Sequence, residues 1–312
     1  MRKKLKMSGS AGYQNHCSTG CAYIKYYTGL LLFSSNGVIA SAISLSSYQI
    51  VLLRSVIGAA FLLILFFSSG KRLNVRRYPK DFIFIALSGV AMAADWFFLF
   101  EAYATVGVSL GMLINYCGPA IVIALSPVIL KERLTLPKLA ALMSALVGAC
   151  LISGQAAADG VRLWGLFCAV MSAASYAAMV LTNKLAKSVS GAENAAVQLL
   201  ATAVTAAVFV GLKQGFTVRI QTGDWLPILW LGLVNTGMGV YFYFSSMGSL
   251  SAQSVAVCGY IEPLMAVLLS AVILKEKMSP WQIAGAVLII GGALYGELSG
   301  IRNVCKSKEK NI

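Results

Sequence analysis

The sequence is poor in charge, and the shortage falls hardest on one sign. Only 12% of its 312 residues are charged, with 11 acidic residues against 25 Lys and Arg. A soluble domain carries roughly 25% charged residues to clothe its surface, so a water-soluble fold of one or two domains is excluded. Histidine is scarcer still, with His16 alone. That removes histidine-rich metal centres and leaves a serine nucleophile without its usual base. The 7 cysteines have no paired metal spacing. Cys17 and Cys21, beside His16, fall short of the four ligands a structural zinc takes, and no second cluster completes them. Most of the others lie in apolar runs as small hydrophobes, so no disulfide framework is implied. There is no phosphate-cradling Gly-Lys-Ser loop, which argues against nucleotide hydrolysis by this chain.

What the sequence has instead is apolar length. Hydrophobic residues make up 58% of it. Runs bounded by charge or by Pro, Gly and Ser predict ten membrane helices, at 23–42, 46–68, 81–101, 107–130, 136–154, 162–183, 193–212, 225–247, 252–274 and 281–298. The basic excess sits between these runs, so the formal +14 reads as positive-inside bias and not as a nucleic-acid footprint. With a cytoplasmic N-terminus, nineteen of the 25 Lys and Arg fall on the cytoplasmic side and five on the other, with Arg54 inside a span. Both tails, 1–22 and 299–312, are therefore expected in the cytoplasm. The basic patch at Arg2–Lys6 is too far from the first apolar run for a cleavable signal peptide, so the first helix is expected to stay.

The pentapeptide VILKE occurs at Val128–Glu132 and again at Val272–Glu276. The same offset aligns Tyr116 with Tyr260, Pro119 with Pro263, Ser126 with Ser270 and Gly148 with Gly292. This is an internal duplication. Five helices per half is an odd number, so the second half is expected to enter the membrane upside down, as in many secondary transporters. The matched Pro119 and Pro263 fall inside predicted helices, where proline opens a kink. Such a kink is either packed by neighbours or lines a cavity.

These residues resemble the drug/metabolite transporter superfamily, in proteins built from two EamA-type repeats. The resemblance rests on Tyr116–Pro119, Leu130–Leu134 and the stretch to Gly148, then on Tyr260–Pro263, Leu274–Lys277, Gln282–Gly285 and Gly291-Gly292. It covers about residues 23–298, as a first repeat at 23–154 and a second at 162–298. It implies an all-α membrane protein with ten helices around a central cavity, in the cytoplasmic membrane. The implied activity is movement of small metabolites, often amino acids or amines and frequently outward, driven in many members by proton or solute exchange. No cofactor, metal or obligate protein partner is implied.

Ionisable groups within a span cost several kcal/mol unless paired or wetted, so each is a functional candidate. Arg54 could hold a substrate carboxylate in a fork, or pair internally with Asp95. Asp95 could bind an amine or carry a coupling proton. Glu262, next to Pro263, could carry a proton, bind a cation or only brace the helix. Glu101 is expected at the interface. Asn36, Asn115, Asn235, Tyr116, Tyr176, Tyr243, Tyr260 and Trp96 are candidates to complete a cavity, although buried Asn and Tyr also bond neighbouring helices. Gly107-x-x-x-Gly111 and Gly292-x-x-x-Gly296 read as close-packing stripes. The first also spells a nucleophile-elbow match, but it opens a membrane helix and lacks a histidine base. Export of amino acids or related metabolites is the expected function, with multidrug or cationic-amine efflux as the alternative.

Overall fold

The apolar runs fold as helices, since a backbone in lipid must satisfy its own hydrogen bonds. The computed structural model describes residues 7–40, 42–70, 72–106, 114–115, 117–132, 134–153, 163–216, 218, 220–262 and 265, then 280–281, 283–285, 287–288, 290–292, 295 and 299. Among the described residues there are helices and connecting turns, with no strand. In chain order they are α1 (Met7–Ser34), α2 (Asn36–Ala40), α3 (Ser47–Ser68), α4 (Pro79–Val106), α5 (Gly118–Ile129) and α6 (Leu136–Ser153). Then come α7 (Leu163–Leu185), α8 (Gly191–Gln214), a composite α9 (Thr222–Met247) and α10 (Ala252–Gly259). Helical residues recur between 280 and 299.

Five of these are long and apolar enough to cross a membrane: Ser47–Ser68, Pro79–Ala102, Leu163–Leu185, Gly191–Gln214 and Thr222–Met247. Their outward faces are apolar, as at Ile64, Leu163 and Leu212, while Asn183, Asn194, Gln198 and Thr202 are buried inside. This inside-out pattern is what a lipid solvent selects. The internal amides satisfy one another: Asn183 and Asn194 exchange bonds of 2.9 Å, and Asn183 also donates to Gln198 (3.1 Å).

Local sequence signals set the helix starts. Ser46 and Gln49 form a capping box on α3. Pro79 opens α4 with Asp81 in its first turn, where a missing N–H and a negative charge both suit the helix end. Contacts between termini fix the directions. Asp81 at the start of α4 accepts from Ser188 N–H beyond the end of α7 (2.5 Å), and Asn74 beyond α3 donates from its N–H to Glu193 at the start of α8 (2.7 Å). At the opposite end, Glu101 of α4 and Lys213 of α8 meet at 3.5 Å. Thus α3 and α7 run one way, and α4 and α8 the other. The α4–α8 crossing is close because Gly89 has no side chain: a Cβ there would come within 2.5 Å of the Gln198 carbonyl.

Three local features depart from the sequence expectation. The first helix starts at Met7 and not near residue 23. Hydropathy marks where a helix meets lipid, and a polar extension can be helical before that point. The expected single span 23–42 is broken at Ser35, where Ser34 and Ser35 turn their hydroxyls back onto the carbonyls of Leu31 and Leu32 (2.7 and 2.8 Å). Such back-bonding competes with the helix ladder. Pro119 does not sit inside a helix: it stands at the start of α5, where its missing N–H costs nothing. The proline within α5 is Pro127. Pro263, Tyr116, the Gly107–Gly111 stretch and the whole second VILKE copy lie outside the described residues.

The first VILKE copy closes α5. Lys131 takes the left-handed conformation (φ 57°), which turns the chain so that Glu132 N–H returns to the Ser126 carbonyl (3.4 Å). The Glu132 carboxylate then accepts from the N–H groups of Ala252 (2.8 Å) and Gln253 (3.3 Å), capping α10 in the other half. Nearby, Lys138 donates to Ser251 (2.9 Å), and Lys184 donates to the carbonyls of Met247 (2.7 Å) and Leu250. Ser144 donates to the carbonyl of Leu288 (2.8 Å), a residue one repeat offset away.

Candidate functional site

Helices α1, α3, α4, α7 and α9 place the predicted polar groups together in the interior. Small residues allow the approach. A Cβ on Gly58 of α3 would touch Thr236 and the Gly232 carbonyl of α9, and one on Gly29 of α1 would press on the Gly239 carbonyl. The chain of α9 widens into a π-helix over Leu231–Met238, which carries Asn235 and Thr236. A π-segment leaves backbone and side chains off the regular ladder and recurs at functional sites.

Arg54 of α3 is buried. Its Nε donates to Thr236 Oγ1 (2.9 Å) and its guanidinium lies over the Trp96 ring, 4.3 Å from the centroid. No hydrogen bond to its two terminal nitrogens occurs among the described residues. Asp95, one residue before Trp96, is buried too. It does not pair with Arg54: its Oδ1 accepts from Ser172 (2.6 Å) and Asn115 (3.0 Å), and Asn115 also donates to Ser172 (2.6 Å). Oδ2 has no bond among the described residues. Glu262 is half-buried and feels the charges of both Asp95 and Arg54. Its carboxylate has no hydrogen bond or salt bridge among the described residues. The three predicted ionisable groups therefore form one electrostatic unit without a closed ion pair.

Aromatic rings wall this unit. Tyr176 of α7 and Tyr243 of α9 bring their hydroxyls to 3.5 Å, and Tyr243 packs on Tyr26 of α1 at 4.9 Å between ring centroids. Tyr26 donates to the Val255 carbonyl (2.7 Å), which ties α1 to α10. Gly259 lets both Tyr176 and Tyr26 approach, since a Cβ there would be 3.3 Å from the Tyr176 hydroxyl. Tyr260 is buried at the end of α10. Asn36 and Asn235 meet at the break between α1 and α2, where Asn235 Nδ2 lies 3.0 Å from Asn36 Oδ1. Tyr26, Ser172 and Thr236 were not among the predicted residues. Tyr26 had a signal, because Tyr23, Tyr26 and Tyr27 share a helix face. Ser172 and Thr236 had none, being single hydroxyls among small residues.

Glu101 belongs elsewhere, as expected. It accepts from Tyr48 and from Trp164 Nε1 (3.4 Å), and Lys213 lies 4.1 Å from the Tyr48 ring centroid. This ring of Tyr, Trp, Lys and Glu at the helix ends has the makeup of an interfacial belt. A cavity of about 500 Å³ opens at the other end, between the close of α3 and the start of α8. Its Asn74 and Glu193 bond each other, and it is far in sequence from the charged unit. The charged unit carries the argument.

Comparison with known proteins bears on the family and the fold. The EamA-like transporter family model matches residues 21–154 and 163–295. An uncharacterized transporter of Bacillus subtilis, YxxF, is 22% identical over 275 residues, covering 87% of this chain and 88% of that protein. An uncharacterized transporter of Archaeoglobus fulgidus is 25% identical over 228 residues, covering 72% of this chain and 79% of that one. The chloroplastic phosphoenolpyruvate/phosphate translocator 1 of Arabidopsis thaliana is 36% identical over 83 residues only, 27% of this chain and 20% of that protein. A solved crystal structure superimposes with a TM-score of 0.75 at 20% identity, covering 89% of this chain and 98% of that one, and so shares the fold.

Proposed function

Because the chain belongs to the EamA-like transporter family, a family of multi-pass membrane proteins, we propose that it is a secondary transporter exporting amino acids or related small metabolites. The reading places it in the cytoplasmic membrane with both termini inside. It has ten helices in two inverted five-helix repeats that rock about a central site. The bond from Ser144 to Leu288 supports the two-fold arrangement, since a residue can touch its own repeat equivalent only near the axis relating the halves.

One observation carries the substrate class. Arg54 is anchored through Nε and its ring contact, which leaves the two terminal nitrogens of the fork for a carboxylate. Asp95 and Glu262 stand by as proton carriers, being interior carboxylates with no salt bridge among the described residues. Outward transport would then exchange substrate for protons. The test is counterflow in proteoliposomes against a panel of amino acids, amines and sugars. Saturable exchange of amino acids that depends on pH is expected, and exchange of none of them would refute the reading.

The alternative, efflux of amines or cationic drugs, is favoured by the tyrosine wall and by two interior carboxylates with no salt bridge among the described residues. The panel separates the two: a cation exporter would take amines without a carboxylate and would tolerate Arg54→Gln.

A further inference from the structure

At the break between α1 and α2, three oxygens converge on one nitrogen. Asn235 Nδ2 lies 2.8 Å from the Leu32 carbonyl, 2.8 Å from Ser35 Oγ and 3.0 Å from Asn36 Oδ1. An amide nitrogen has two hydrogens for these three oxygens, of which the Leu32 carbonyl also takes the Ser35 hydroxyl. Meanwhile Asn235 Oδ1 is buried without a bond among the described residues, although Asn235 is 0% exposed. A buried acceptor left unmet is costly. The two irregularities have one cause if this nest is shaped for a donor with three hydrogens. The separations of 2.8–3.0 Å are ordinary N–H···O lengths. The backbone around the nest is irregular on both sides, a helix break at Ser35 and the π-helix at Leu231–Met238.

We infer that the Leu32 carbonyl, Ser35, Asn36 and Asn235 form a site for the primary ammonium of the transported substrate. With the site empty, the Asn235 amide nitrogen stands in for that ammonium. On binding, Asn235 swings aside or turns over. Its Oδ1 then becomes a fourth acceptor, and the unmet oxygen gains its partner. Thr236, the next residue, holds Arg54, so the ammonium nest and the carboxylate fork are held by successive residues of one π-turn. A zwitterion, with its two charges on neighbouring atoms, suits that pairing.

The inference rests on the amino-acid reading above, and its test keeps the two separable. Binding of L-leucine and L-phenylalanine is compared with that of their 2-hydroxy acid analogues, by thermal shift and by competition in counterflow. Wild type is expected to prefer the amines by at least about ten-fold, the scale of hydrogen bonds to a charged group. In Asn36→Ala that preference falls toward unity while hydroxy-acid binding holds. Asn235→Asp keeps the acceptor and keeps the preference. Should Asn36→Ala not fold, Ser35→Ala is read by the same ratio. A structural role alone would weaken both ligand classes equally. An unchanged ratio in the variants, with amino acids still exchanged, overturns the inference alone. So does stabilisation of wild type by sodium chloride, without amine, that is lost in Asn36→Ala. If wild type exchanges no amino acid, the inference falls together with the functional reading.

Discussion

Removing the Glu132 carboxylate should loosen the two halves of the molecule from each other. Glu132 ends the first VILKE copy, yet its oxygens accept from Ala252 and Gln253, more than a hundred residues away. These are the first N–H groups of α10, which no intrahelical carbonyl can satisfy. Hydrogen bonds to a charged group contribute about 1.5–3 kcal/mol, and the shorter bond at 2.8 Å should supply most of that. A negative charge at a helix N-terminus adds about 0.3–1 kcal/mol. Glu132→Ala should therefore cost about 2–4 kcal/mol, the sum of those two contributions. Glu132→Gln, which keeps one acceptor oxygen but loses the charge, should cost about 1 kcal/mol. Ser251 also caps this helix through Ser254 N–H, so α10 weakens without melting. Reversible unfolding of the purified chain in mixed detergent micelles gives the stability difference. If Glu132→Ala lies within about 0.5 kcal/mol of wild type, the carboxylate is not a cap and the reasoning is wrong.

Asp95→Asn should leave the fold intact, because both bonds to Asp95 land on one oxygen that asparagine retains; loss of pH-dependent exchange with unchanged thermal stability is the expected result. Arg54→Lys should weaken carboxylate-bearing substrates by at least about ten-fold, since lysine offers no planar fork, and an unchanged competition constant would dismiss Arg54 as a ligand. Gly89→Ala should destabilise by about 1–3 kcal/mol, because its Cβ would meet the Gln198 carbonyl, a backbone atom that cannot swing away. Lys131→Gly should stabilise slightly, by about 0.5–1 kcal/mol, by relieving a left-handed non-glycine residue; thermal melts check both.

The long apolar helices were legible because hydropathy reports directly on lipid contact. Limits such as 46–68 and 193–212 fall within two residues of α3 and α8. The charged candidates were legible for the same reason: Arg54 and Asp95 are conspicuous in apolar runs, and both are buried. Their partners were not. Trp96 under Arg54 and Ser172 on Asp95 depend on how α3, α4 and α7 cross, which no run of letters encodes. The π-turn at Leu231–Met238 leaves no composition signal, and so the pairing of Asn36 with Asn235 could not be foreseen. Pro119 shows the opposite error. Its place in an apolar run predicts a kink inside a long helix, while the chain uses it to open a new one after Cys117.

The Ser144–Leu288 bond has a meaning for the history of the chain. Two separate copies of an ancestral half, meeting face to face, would have touched through the same position on each partner. In such a pair any change at that position is made twice, once on each side. Two repeats within one chain are free of that constraint. Serine could then stay on one side as a donor while leucine took the other and offered only its carbonyl. Two repeat-equivalent positions now meet through one asymmetric bond.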